Sequence, residues 1–227
     1  MEGFIIHQRK FKETSLFLEL FTRCKGRFSA LAKGANRTKS ILGMDLQPSR
    51  LLKFEVHEKT SIPLLKSAEL IKDYHVPLGL RMFSIFYINE LIYKGLQKQD
   101  SAPIIFDSYM LALQQISKLE SCLETVLRNF EYSFLCSSGV IANLNVTNTG
   151  EEVLATDKYE VIPDSGVFKY SGNSGFPLHG STLLQLSKGE SLDEIGLRES
   201  KYMMRRLIEH FLGGQELATR NLFKPKG

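Results

Sequence analysis

Ser15-Leu16-Phe17-Leu18-Glu19-Leu20-Phe21-Thr22, the turn Cys24-Lys25-Gly26, and Arg27-Phe28-Ser29-Ala30-Leu31-Ala32 decide the fold class. Successive side chains of a strand point to opposite faces. Leu16, Leu18 and Leu20 therefore share one face, and Phe17 and Phe21 share the other with Glu19. Gly26 supplies a turn residue free to take a positive φ. Outward from this pair of strands, Phe4-Ile5-Ile6-His7 is a short apolar start, and Leu51–His57 alternates again. Leu64–Leu70 reads as a fifth strand, and Lys33–Ser40 is a polar, basic connection. Five short strands with one long basic connection fit a small Greek-key barrel of the OB type.

After Pro77 the period changes. Arg81–Gln97, Ile104–Ser117 and Cys122–Leu135 carry apolar residues at helical spacing. Phe83, Phe86, Tyr87, Leu91 and Ile92 mark the first helix; Leu123, Val126, Leu127, Phe130 and Phe134 form one stripe on the third. Tyr159–Ile162 and Val167–Tyr170 bracket Pro163-Asp164-Ser165-Gly166, a hairpin signal. Helices are expected near Ser181–Ser187 and Arg198–Leu212, the last ended by Gly213-Gly214. The expectation is an α+β protein: an OB-fold barrel over residues 1–78, then a mainly helical domain over 79–227 with a β-hairpin at about 157–171.

The chain has 227 residues, 43% of them hydrophobic, enough for a real core. No apolar run reaches the ~18 residues that a membrane span needs. The start lacks the pattern of a signal peptide, and Cys24, Cys122 and Cys136 are too few and too scattered for a disulfide framework. The expected compartment is the cytoplasm.

Charge is unevenly placed. Residues 1–80 hold 14 Lys/Arg against 8 Asp/Glu, residues 81–197 hold 8 against 14, and residues 198–227 hold 7 against 3. A basic first third suits a polyanion, although solubility alone would also account for it. Arg9, Lys10, Arg27, Lys33, Arg37 and Lys39 are the expected nucleic-acid contacts, because guanidinium and ammonium groups neutralise phosphates. Phe11, Phe17, Phe21 and Phe28 lie among them; rings can stack on bases, but most fill the interior of a small barrel.

Catalytic patterns are missing. Gly34–Ser40 lacks the second glycine of a phosphate-binding loop, and Gly172-Asn173-Ser174-Gly175 has the wrong spacing for a nucleophile elbow. His7, His57, His75, His179 and His210 are scattered, with no Cys-x-x-Cys, so no metal, cofactor or covalent chemistry is expected. An OB-fold RNA-binding protein of translation or RNA processing is the alternative to a DNA-binding one.

Several segments resemble the RecO family of recombination mediators. They are Glu13-Thr14-Ser15-Leu16, Phe21-Thr22-x-x-x-Gly26-Arg27, Ala32-Lys33-Gly34-Ala35, Leu46-Gln47-Pro48, Ser67-Ala68-Glu69 and Tyr87-Ile88-Asn89-Glu90-Leu91. Leu127-Arg128-x-Phe130-Glu131 and Leu212-Gly213-Gly214-x-x-Leu217-x-x-Arg220-x-Leu222-Phe223 complete the series, in the family's order. The resemblance implies binding of single- and double-stranded DNA, strand annealing, and, with RecR, loading of RecA on DNA covered by single-strand-binding protein. It also implies docking of that protein's acidic C-terminal tail, for which Arg128, Arg205 and Arg206 are the expected cations. For Arg128 an intrahelical pair with Glu124 or Glu131 is the competing role. Many relatives carry a four-cysteine zinc module after the central helix. Ser137–Tyr170 here has no cysteine, so the hairpin is expected to be held by packing.

Overall fold

The computed structural model describes residues 1–36, 46–58, 61–172 and 175–223. Five strands, β1 (Glu2–Phe11), β2 (Ser15–Thr22), β3 (Gly26–Ala32), β4 (Arg50–His57) and β5 (Leu64–Asp73), close a barrel in the order β1-β2-β3-β5-β4. β1 runs antiparallel to β2 and β4, and the barrel closes through a parallel contact of β3 with β5, Leu31 opposite Leu64. Leu18 and Leu20 lie in the barrel core with Ile5, Phe28, Ala30, Ala32, Leu52, Phe54 and Leu65, and Leu16 packs against it. The fold is α+β with an OB-like barrel.

The other face of β2 is buried as well. Phe4 and Phe21 pack against Phe106 and Tyr109, with ring centroids 4.9–6.1 Å apart. Those two rings belong to α2 (Pro103–Ile116), which follows α1 (Leu80–Gly95). Proline sits at the first turn of α2, where its missing N–H leaves no helical bond unmade. The Tyr109 hydroxyl donates to Asn89 Oδ1 at 2.8 Å, pinning α2 to α1. On α1 Tyr87, Leu91 and Ile92 are buried as expected, but so are Ile85 and Ile88, while Phe86 is exposed. The burial is not one stripe because α1 packs on β1, α2 and a C-terminal 3-10 helix (Ala218–Phe223).

That 3-10 helix returns to α1 from the far end of the sequence. Glu90 accepts from the backbone N–H of Ala218 (3.0 Å) and Thr219 (2.8 Å) and from the Thr219 hydroxyl (2.6 Å). Phe223 sets its ring edge-on to Phe83 and Tyr87. The last barrel strand ends at Asp73 and α1 begins at Leu80. Compactness divides the chain elsewhere, into Met1–Leu119 with Leu217–Gly227, and Glu120–Glu216.

Within Glu120–Glu216 lie α3 (Leu123–Ser137), α4 (Gly180–Lys188), α5 (Glu194–Phe211) and a sheet of β6 (Lys158–Ile162), β7 (Gly166–Lys169) and β8 (Leu178–His179) in the order β7-β6-β8. The Pro163–Gly166 turn joins β6 to β7, with Asp164 at φ 59° and Gly166 at φ 97°. The hairpin is held by β8, by buried Tyr159 and Val167, and by the Leu154 N–H donating to the Tyr159 hydroxyl at 2.9 Å. Val126, Leu127, Phe130 and Phe134 of the α3 stripe are buried, and Phe134 meets Phe211 of α5 edge-on at 5.6 Å. The last helix starts four residues earlier than the sequence suggests. Asp193 caps it, accepting from the Gly196 N–H at 2.7 Å.

Candidate nucleic-acid interface

The register of the first three strands sorts the expected contacts. On the outer face, Phe4 and Phe21 form one cross-strand row, His7, Glu19 and Ser29 the next, and Arg9, Phe17 and Leu31 the third. The first row is covered by α2. The second is covered by the C-terminal end of α1 and the residues after it: His7 stacks on Tyr93 at 5.0 Å, and Lys98 Nζ reaches Ser29 Oγ at 2.6 Å and Glu19 at 3.4 Å.

Arg27 belongs to this covered region. Its Nη1 donates to Glu19 at 3.0 Å, and its Nε and Nη2 donate to the Leu96 carbonyl at 3.2 and 2.9 Å. Tyr93 lies beneath the guanidinium at 5.0 Å. The Arg27 side chain is 11% exposed and that of Glu19 is 3% exposed. A carboxylate so buried requires a cation, and the rigid fork of arginine also satisfies the end of α1. Arg27 therefore stands at the junction of barrel and helix, apart from the other expected contacts.

The third row is open. Arg9 is exposed and its guanidinium lies 4.7 Å above the half-buried Phe17 ring. Lys10 is next to it, and Lys12, at φ 54° in the β1–β2 turn, sets its ammonium 5.7 Å from the Phe11 ring. Lys33 is exposed just beyond β3. The segment after it is tied to the same turn: Asn36 donates its backbone N–H to Thr14 O at 3.0 Å and its side-chain amide to Glu13 O at 3.3 Å. Arg9, Lys10, Lys12 and Lys33 thus share one end of the barrel, with the exposed Glu13 as the nearby carboxylate. Arg37 and Lys39 lie outside the described residues. Lys12 belongs to the basic cluster visible in the sequence but not to the expected contacts, and the pairing of Arg9 with Phe17 was not foreseen. A hairpin closed by Lys12-Glu13-Thr14 sets Phe11 opposite Ser15 and so Arg9 opposite Phe17, which would have shown the second.

Arg128 lies on α3, 8% exposed, and its Nη2 donates to Glu131 at 2.8 Å, so the intrahelical pair forms. Its Nε is buried without an acceptor, and on the same helix the Thr125 hydroxyl and Asn129 Oδ1 are buried without a hydrogen-bond partner. Arg205 and Arg206 are exposed on α5, away from Arg128 in sequence and on a different element. Among the described residues no group of three or more His, Cys, Asp or Glu side chains could hold a metal ion, and no helix is long and apolar enough to cross a membrane.

Comparison with known proteins agrees with this architecture. Residues 1–74 match the family described as Recombination protein O N terminal, and residues 79–215 match Recombination protein O C terminal. The DNA repair protein RecO of Thiobacillus denitrificans is 34% identical over 231 residues, covering 98% of this chain and 90% of that protein. The same-named protein of Marinobacter nauticus is 35% identical over 227 residues, covering 97% and 92%. That of Methylococcus capsulatus is 35% identical over 229 residues, covering 98% and 91%. With both halves matched in order and relatives aligned almost end to end, the chain belongs to the RecO family of DNA repair proteins.

Proposed function

We propose that the protein is a recombination mediator that holds DNA at the Arg9–Lys10–Lys12–Lys33 end of its barrel. It binds single- and double-stranded DNA, anneals complementary strands, and with RecR helps load RecA on DNA covered by single-strand-binding protein. It acts in the cytoplasm at the nucleoid and performs no covalent chemistry. The observation that carries this reading is that four exposed cations share one end of the barrel, one of them, Arg9, lying over the half-buried Phe17 ring. Cations neutralise phosphates without reading sequence, and an aromatic ring accepts any base. The test is annealing of complementary strands with and without cognate single-strand-binding protein. Replacing Arg9, Lys10 and Lys33 by alanine should weaken single-strand binding and flatten the log–log salt dependence by about 2, at ~0.7 per lost phosphate contact. A slope equal to that of the unaltered protein would remove the barrel end from the interface.

The acidic tail of single-strand-binding protein is received, on this reading, at α3. A carboxylate is the group that the acceptor-less Arg128 Nε lacks, and buried donors left unmade are costly. Arg128→Ala should then weaken binding of a labelled tail peptide in an anisotropy titration while DNA binding persists. Unchanged peptide affinity would place the tail elsewhere.

A further inference from the structure

The unit Glu120–Glu216 is acidic, with eight Lys/Arg against 14 Asp/Glu, yet four of those eight cations fall within nine residues of α5: Arg198, Lys201, Arg205 and Arg206. All four are exposed. Arg198, Lys201 and Arg205 stand three and four residues apart along one helix face, and Arg206, eight residues from Arg198, borders it. At ~1.5 Å rise per residue the row is about 12 Å long. The buried face of the same helix is built from Met203, Met204, Leu207 and Ile208.

Neutralisation from within the unit is slight. Glu199 points inward, accepting from the His179 N–H (3.0 Å), meeting the His179 ring at 2.6 Å and accepting from the Thr182 hydroxyl (2.7 Å). Lys201 meets Glu124 at 3.2 Å, but both side chains are about half exposed, and such pairs are weak. Glu194 and Glu209 stand four residues from Arg198 and Arg205 at the two ends of the row, where exposed pairs of this kind are weak. Like charges three and four residues apart destabilise a helix. The cluster therefore opposes folding, and an anionic ligand would relieve it. Between the cations stands Tyr202, 42% exposed, stacked on Phe176 at 4.0 Å and 5.8 Å from the Arg206 guanidinium.

We infer that this face of α5 is a second binding surface for a nucleic-acid strand, with Arg198, Arg205 and Arg206 on its phosphates and the Tyr202–Phe176 pair beside its bases. The inference rests on the reading of the barrel end as the first such surface. A strand fits better than an acidic peptide with an apolar terminus. That peptide needs an apolar pocket, whereas the exposed apolar groups of this face are Ile195 and the Tyr202 ring. A row of cations suits a chain of regularly spaced charges, and arginine with aromatic rings is the usual equipment for single strands. Two surfaces on one chain let it hold two strands at once, as pairing them requires.

The experiment counts strands per chain. The full-length protein, an Arg198→Gln/Arg205→Gln/Arg206→Gln variant and an Arg9→Ala/Lys10→Ala/Lys33→Ala variant are titrated with a labelled oligothymidylate of roughly 12 nucleotides, short enough for one site. The work is done at low salt, with circular dichroism melting as the check on folding. The expected result is two strands per chain for the unaltered protein and one for each variant. The α5 variant should also lose about 2 from the total log–log salt slope. Two strands per chain in the α5 variant would overturn the inference. So would loss of acidic-peptide binding with strand stoichiometry intact. Two strands in the barrel variant with one in the α5 variant would uphold α5 and refute the barrel end instead. Repeating the titration with duplex separates phosphate contact alone from base contact, since only the single strand offers rings to Tyr202.

Discussion

Arg27→Ala separates the structural role of a basic residue from a DNA-binding one. The substitution removes one charge-assisted bond to Glu19 and two bonds to the Leu96 carbonyl. Breaking a buried ion pair by removing one partner typically destabilises by about 3–5 kcal/mol. Here Ser29 and Lys98 remain on Glu19, the latter at 3.4 Å, which moderates the loss. The Leu96 carbonyl, robbed of both guanidinium donors, adds ~1–3 kcal/mol if water does not reach it. A value near the lower bound, about 3 kcal/mol, follows, and at ~2–4 °C per kcal/mol for a chain of this size the melting temperature should fall by roughly 6–12 °C. Lys33→Ala, on an exposed side chain, should change stability by no more than ~0.5 kcal/mol. Urea unfolding of the two variants makes the comparison, with single-strand affinity measured beside it. Arg27→Lys should recover only part of the loss, because one ammonium cannot span Glu19 and the Leu96 carbonyl together. If Arg27→Ala unfolds like the unaltered protein and loses DNA affinity as Lys33→Ala does, the assignment of Arg27 to the barrel–helix junction is wrong.

Three further outcomes are expected. Gly26→Ala should destabilise by at least ~1–3 kcal/mol in the same urea assay, since an added Cβ would lie 1.7 Å from the Asp100 carbonyl oxygen at a φ of +61°. Tyr109→Phe should lose ~1–3 kcal/mol by leaving the buried Asn89 Oδ1 without its donor. The C-terminal clasp should be acid-labile. Burial pushes the Glu90 carboxyl up, but the bonds from Thr219, Lys94 and Ala218 outweigh it and hold the group below its ordinary 4.5. A depressed carboxyl stabilises fully above the ordinary value and loses that contribution as pH falls through the folded one. Hydrogen exchange at Ala218 and Thr219 should therefore quicken as pH drops below about 4.5, after correction for intrinsic exchange, and Glu90→Gln should abolish the dependence.

The barrel was legible because its inward side obeys a strict period of two. Leu18, Leu20, Phe28, Ala30 and Ala32 are in the core where alternation puts them. The outward side was not, because what covers it comes from elsewhere in the sequence. Nothing in the strand tells that Phe21 will meet Phe106, or that Glu19 will be enclosed by α1 and need Arg27. A basic residue on an outward position looks like a surface residue until a helix is laid over it. Two of the segments carrying the family resemblance are joints of this kind. Gly26-Arg27 seats the β2–β3 turn against Asp100 and Leu96, and Asn89-Glu90 fastens α1 to Tyr109 and to the 3-10 helix. Of the expected nucleic-acid contacts, Arg9, Lys10 and Lys33 are exposed, while Arg128, expected at the partner site, shows the helical pairing that its spacing from Glu131 allows.

The bond from Thr219 to Glu90 spans 129 residues and has a consequence for how the chain is made. A ribosome delivers the barrel and its two helices first, but the segment that packs back on α1 arrives only after Glu120–Glu216 has been made. Glu120–Glu216 is thus an insertion, threaded out of the first unit and back, and it must be complete before the first unit is. A nascent chain stalled short of Leu217 would present Phe83 and Tyr87 without the Phe223 ring that packs on them. Codons 217–223 therefore bear on the integrity of the first unit, and a frameshift within Glu120–Glu216 would register in a unit whose own strands lie upstream of it.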